Sequence, residues 1–323
     1  MKSPGGSVST ELTGVSCKAA NYCLVIGDYV NKAGLDLPYV LTWNGATLTA
    51  IVKAPLPSGD ALVTMGGVSC VAVKSCVVFG TAASATSVNG AVQLAWTWNG
   101  SKWGRKTAGG GSVTEEFTAA RCFTLTSCLE TGIVMNASGT TSELLATWNG
   151  SSLKTQPVPA PSGASVLLPS DLSCSSSTNC AMVGLGFNIT TSSTSSTSTP
   201  GIFGFAQVWN GSAWKVVKWT GPKGANLALL LGVSCTSANN CVAVGASGTN
   251  NNGAAASFTW NGRHWAALAV PGVGKGLTTE FSGVSCPSAG NCVAIGAYGP
   301  PTATNGKPLA GYLHGGSWRL RHA

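Results

Sequence analysis

Residues 232–245 read GVSCTSANNCVAVG and residues 256–265 read ASFTWNGRHW, and this two-part unit decides the fold. Its first half sets Cys235 and Cys241 five residues apart; its second half sets Asn261-Gly262 between Trp260 and Trp265. The chain writes the unit six times. First cysteines fall at Cys17, Cys70, Cys122, Cys174, Cys235 and Cys286, with partners at Cys23, Cys76, Cys128, Cys180, Cys241 and Cys292. Successive units lie 53, 52, 52, 61 and 51 residues apart, and the long step contains a Ser/Thr tract, Asn188 to Pro200. Such a tract cannot build a core and is expected to be a mobile loop. A period near 50 residues marks a propeller, a solenoid or an array.

Each unit holds four strand candidates. Strand A is the GVSC segment. Strand B starts at the second cysteine and is expected to end at a glycine four residues on (Gly27, Gly80, Gly132, Gly184, Gly245, Gly296). Strands C and D flank Asn-Gly at Asn44, Asn99, Asn149, Asn210 and Asn261, a hairpin signal because both central turn residues would take positive φ. The sixth unit replaces it with His314-Gly315. Six four-stranded antiparallel units predict an all-β, six-bladed β-propeller; solenoid coils are shorter and lack two tight hairpins each. The expectation is one domain over 1–323, with blades at about 8–57, 58–110, 111–160, 161–222, 223–272 and 273–323.

Charged residues are only 9% of the chain and Gly numbers 43, a composition of short strands and turns rather than helices. Twelve cysteines in equally spaced pairs predict six disulfides, one inside each blade, and an oxidising compartment. Each short loop contributes about 2 kcal/mol on the loop-closure account, which matters against a typical stability of about 5–15 kcal/mol. No metal is expected: three histidines, none beside a cysteine pair, do not make a zinc site. The polar opening, Met1 to Gly6, has no apolar signal-peptide core, and the longest apolar run, Leu227 to Leu231, is too short for a membrane span. The chain is therefore expected to be secreted or cell-surface, in a mature or trimmed form, and monomeric.

The turns TWNGSKW and VWNGSAW resemble the Asp-box hairpin of sialidase-type propellers, which also joins the third and fourth strands and ends in Trp; the family's Asp is missing from every unit here. The whole unit, VSC…NCVAVG…WNGxxW, is similar to repeat proteins of unassigned function exported by actinobacteria. The sialidase resemblance implies three arginines around a substrate carboxylate. Of five arginines, Arg105, Arg263, Arg319 and Arg321 fall on or beside strand D and Arg121 precedes Cys122, so a sialidase centre is not expected.

The A–B and C–D turns share one end of a blade, so the B–C and D–A connections share the other. Those connections vary, and loops are where propellers place function. Glu11, Glu116 and Glu280 each lie six residues before a first cysteine, in STELTGVSC, TEEFTAARC and TTEFSGVSC. That register puts them at the upper start of the innermost strand, as candidate catalytic carboxylates for glycoside hydrolysis or as oxygens for a structural cation such as calcium. The bland alternative is a solvated strand start.

Asp28, Tyr29, Glu115 and Tyr298 join the same rim as candidate ligand contacts. So does Glu130, where the other units carry Val25, Val78, Met182, Ala243 and Ala294; a carboxylate there is expected to face a hydrated channel or a partner. Tryptophans at the two fixed hairpin positions read as blade-to-blade packing, which leaves Trp96 and Trp219 as the free candidates for sugar stacking. The net charge of +8 collects on strand D, where lysines blunt an exposed edge, and nothing points to nucleic acid. Three functions remain: an exported module binding a glycan or cell-surface ligand, a glycoside hydrolase or polysaccharide lyase, or a scaffold.

Overall fold

The computed structural model describes residues 3–50, 54–56, 60–84, 91–110, 114–135, 141–188, 201–219, 221–222, 225, 227–249, 252–302 and 306–322. The Ser/Thr tract at 189–200 lies outside them, as do parts of the other variable segments. The chain forms two compact units, Met1–Pro157 and Val158–Ala323, of three blades each.

In the first unit, blade one comprises β1 (Ser7–Ala19), β2 (Tyr22–Asn31), β3 (Asp36–Trp43) and β4 (Leu48–Ala50). Blade two comprises β5 (Asp60–Ala72), β6 (Ser75–Ser84), β7 (Val92–Trp98) and β8 (Trp103–Gly110). Blade three comprises β9 (Thr114–Thr124), β10 (Ser127–Met135), β11 (Thr141–Trp148) and β12 (Leu153–Thr155). The second unit repeats the plan. Blade four is β13 (Val166–Ser176), β14 (Asn179–Asn188), β15 (Gly201–Trp209) and β16 (Trp214–Val216). Blade five is β17 (Leu227–Ser237), β18 (Asn240–Thr249), β19 (Asn252–Trp260) and β20 (Trp265–Leu268). Blade six is β21 (Thr278–Ser288), β22 (Asn291–Gly299), β23 (Lys307–His314) and β24 (Ser317–His322). Every blade is an antiparallel meander, and the fold is an all-β, six-bladed β-propeller.

One disulfide closes the first hairpin of each blade: Cys17–Cys23, Cys70–Cys76, Cys122–Cys128, Cys174–Cys180, Cys235–Cys241 and Cys286–Cys292, with Cα atoms 3.9–4.0 Å apart. The serine of the repeated VSC has a second task. Ser16 Oγ accepts a hydrogen bond from the Cys70 amide and Ser69 Oγ one from the Cys122 amide, both at 2.9 Å. In the second unit Ser173 Oγ accepts from the Cys235 amide (2.9 Å) and Ser234 Oγ from the Cys286 amide (3.0 Å). Each bond ties one innermost strand to the next. Asp171 adds another tie in the second unit, accepting from the Val233 amide at 2.9 Å.

The strand glycines do not end strand B. The second strands run on through them, as β2 does to Asn31. Opposite each glycine the innermost strand carries a β-bulge, for example at Leu12/Gly14 and Met65/Gly67. The bulged strand presses its carbonyl inward, so a Cβ at Gly27 would stand 2.0 Å from the Glu11 oxygen and one at Gly80 2.0 Å from the Thr64 oxygen. Glycine is kept there for close approach.

The Asn-Gly turns also differ from expectation. Only the glycine takes positive φ, 90–95° at Gly45, Gly100, Gly150, Gly211 and Gly262. The asparagine Oδ1 instead accepts the amides two and three residues on, at 2.8–3.1 Å, and closes a four-residue loop. The two-residue turn with both φ positive occurs in the sixth blade, at Gly315-Gly316.

Blades pack through the alternate residues of their second strands. Leu24 and Ile26 of blade one meet Val68, Val78 and Trp98 of blade two, and Val77 and Phe79 of blade two meet Phe117, Cys128 and Trp148 of blade three. The hairpin tryptophans therefore serve packing, as the edge-on Phe79–Trp148 pair shows at 5.8 Å. Trp43, Trp148, Trp209 and Trp260 also donate from Nε1 to a carbonyl of the cysteine hairpin, at 3.0–3.2 Å.

Trp96 and Trp219 are not free. Trp96 is fully buried and donates to the Pro55 carbonyl (2.9 Å), while Trp219 stands edge-on to Phe258 at 4.8 Å and donates to Gly204. Trp96, within β7, meets the connection that leaves blade one at Pro55, and Trp219 lies in the connection that follows β16; the repeat alone revealed neither contact.

Ser69→Ala leaves the half-buried Cys122 amide without this acceptor. Chemical denaturation should show a loss of about 1–3 kcal/mol for this variant, and an unchanged midpoint would contradict the role assigned to the serine.

Candidate functional site

The first unit contains a cavity of about 710 Å³. Its walls come from the starts of three successive innermost strands: Ser9–Thr13 on β1, Thr64–Gly66 on β5 and Glu116–Thr118 on β9. Glu11, Thr64 and Glu116 hold one register, each six residues before the first cysteine of its blade. Two of the three sequence-derived carboxylates are thus brought together. Glu280 holds the corresponding register on β21 of the second unit, exposed and paired with Ala297.

Behind this row stands Asp28. Because β2 continues past Gly27, Asp28 lies in the strand and directly opposite Glu11, so both side chains leave the sheet on the same face. That face also carries Leu24 and Ile26, which pack against blade two. Asp28 extends the row and accepts a hydrogen bond from the Met65 amide at 3.1 Å. Asp36, at the start of β3, adds a fourth carboxylate to the lining.

The four are electrostatically joined. Burial pushes the Asp28 carboxyl up to about 7; the Met65 amide opposes this, and the charges of Asp36, Glu11 and Glu116 add to it. Hydroxyls complete the wall. Thr64 Oγ1 lies 2.9 Å from Thr81 Oγ1, and Thr13 Oγ1 donates to the Met65 carbonyl. Among the described residues, no lysine or arginine lines the cavity. The floor needs Gly66, where a Cβ would lie 1.6 Å from the Phe117 oxygen.

The remaining candidates fall elsewhere or serve packing. Tyr29 also lines the cavity, while its side chain is buried against Tyr39, with ring centroids 6.3 Å apart. Tyr298 is buried beside the His322 ring at 5.2 Å. Glu115 lies in β9, and its side chain falls outside the described part of the structure. Glu130 faces neither a hydrated channel nor a partner. It is 0% exposed, and neither oxygen has a hydrogen-bond partner among the described residues. Asp36 was missed by sequence reasoning, and only the hairpin that returns it beside Val30 brings it to the rim. Among the described residues no cluster of His, Cys, Asp or Glu suits a metal ion, and no helix is long and apolar enough to cross a membrane.

No protein-family model matches the chain, and no curated protein matches it in sequence. Solved structures do match its fold. YCF48 from Cyanidioschyzon merolae aligns with a TM-score of 0.53 at 13% identity, covering 98% of this chain and 87% of that one. The GH93 α-L-arabinofuranosidase of Fusarium graminearum, in complex with arabinobiose, gives 0.54 at 10% identity over 96% and 95%. The Hadza microbial sialidase Hz136 gives 0.56 at 8% identity over 98% and 66%. At such identities these likenesses speak for the β-propeller fold alone.

The raised Asp28 carboxyl has a consequence for stability. It keeps its proton in the folded chain to about pH 7 but loses it near 3.8 once unfolded. Its contribution is therefore complete below the lower value and lost as pH rises through the upper one. Thermal unfolding of Asp28→Asn should depend less on pH across that window, with Tm above wild type at its alkaline end; parallel curves for the two proteins would refute the shift.

Proposed function

We propose that this chain is an exported glycan-binding propeller whose ligand seats in the cavity of the first unit. The observation that carries the reading is the row Glu11, Thr64 and Glu116 on three adjacent innermost strands, with Asp28 behind it in one cavity. Carboxylates and threonine hydroxyls are acceptors and donors for sugar hydroxyls, and the cavity exceeds the lower size of ordinary ligand sites, about 300 Å³. Its charge selects the sugar. A wall of carboxylates without a cation repels uronic and sialic acids and favours neutral or amino sugars. Six disulfides support an oxidising, extracytoplasmic setting for such a module.

A second reading, glycoside hydrolysis, is favoured by one specific feature. Asp28, proton-bearing near neutrality, stands opposite Glu11. A proton-bearing carboxyl with a second carboxyl facing it is the pairing from which glycoside hydrolysis is built.

A glycan array of neutral, amino-sugar and acidic oligosaccharides, run with a hydrolysis screen on wild type and Glu116→Gln, tests both. Binding of neutral or amino sugars, weakened about tenfold or more in the variant and without turnover, supports the binding reading. Turnover lost in the variant supports hydrolysis. Preference for acidic glycans, or silence in both assays, overturns the cavity as a glycan site and leaves the scaffold.

A further inference from the structure

Glu130 lies in the interface between blades two and three, away from the cavity lining. On its own sheet it stands opposite Ala120 of β9 and Ala146 of β11. Across the interface Gly67 of β5 makes room for it: a Cβ there would sit 2.7 Å from Glu130 Oε2 and 3.0 Å from the Ala120 Cβ. Around this point Val77, Phe79, Phe117, Cys128 and Trp148 form the apolar packing between the two blades. The carboxyl is closed off from solvent, and both oxygens lack a partner among the described residues. Alanine and glycine are the residues that face it from β9, β11 and β5, so among the described residues no facing charge compensates it. Burial is the one cause acting on its proton affinity, and it acts upward.

We propose that Glu130 is a pH-operated latch on the interface of blades two and three, closed while its carboxyl carries a proton and loosened when that proton leaves. The step is a simple ionisation: the carboxyl O–H gives its proton to water, and a carboxylate remains between apolar faces. An unpaired buried charge is costly, and separating the blades to admit water is the relief available. The movement reaches the cavity, because β9 carries Glu116–Thr118 and β5 carries Thr64–Gly66. The other five repeats hold an apolar residue at this position, so the device belongs to this interface.

Hydrogen exchange of the intact chain at about pH 6 and about pH 9, corrected for intrinsic rates, tests the latch, with β21 as internal reference. Protection of β5 and β9 should fall about tenfold for each unit of pH above the folded-state transition in wild type, and should hold steady in Glu130→Gln. Glu130→Met, which installs the residue found at Met182, should stay closed throughout and guards against a glutamine variant that folds poorly. Equal loss of protection in wild type and Glu130→Met overturns the proposal, as does a wild-type protein whose β5 and β9 stay protected to the alkaline limit.

Discussion

Each unit depends on one hydrogen bond repeated from blade to blade within it. The amide of a first cysteine donates to the serine hydroxyl of the preceding blade, which fixes neighbouring innermost strands at a common height. The disulfide holds each strand to its own blade; the serine holds it to the next. Strands of Val, Ala and Gly offer little side-chain volume to set that height by packing, so polar ties near the axis and disulfides beside them do so instead.

Register then becomes chemistry. With β1, β5 and β9 level, residues six before each cysteine meet at one rim, and two of them in the first unit are glutamates. The chain carries a net charge of +8 and only ten acidic residues, yet eight of those ten belong to the first unit and four line its cavity. Such concentration is unfavourable in itself. Asp28 relieves part of it by holding its proton, and the Met65 amide offsets another part.

The blade count, the disulfide pairing and the shared register of Glu11 and Glu116 were legible in the repeat, because period and spacing encode them directly; Thr64, between those two, and Glu280, in the second unit, depart from the expected row. Asp28 facing Glu11 was not. Gly27 reads as a strand end in one dimension, whereas a bulge on the partner strand makes glycine necessary in mid-strand. The Asn-Gly turns misled for a related reason: the asparagine side chain caps the loop, so its own backbone needs no positive φ. Glu130 stood out as an odd residue in its column. Its surroundings were hidden, because the space it fills is the Cβ that Gly67 lacks on another blade.

The central claim is that Glu11, Asp28 and Glu116 share one field across two blade interfaces. Carboxyl-selective ¹³C NMR titration of Asp28, in wild type and in the Glu11→Gln/Glu116→Gln double variant, measures that field directly. The account expects a transition at about 7 in the native chain, raised chiefly by burial, and a slightly lower but still raised one once both neighbouring charges are removed. An Asp28 that titrates near 3.8 in both proteins, or at the same raised value in both, would contradict it.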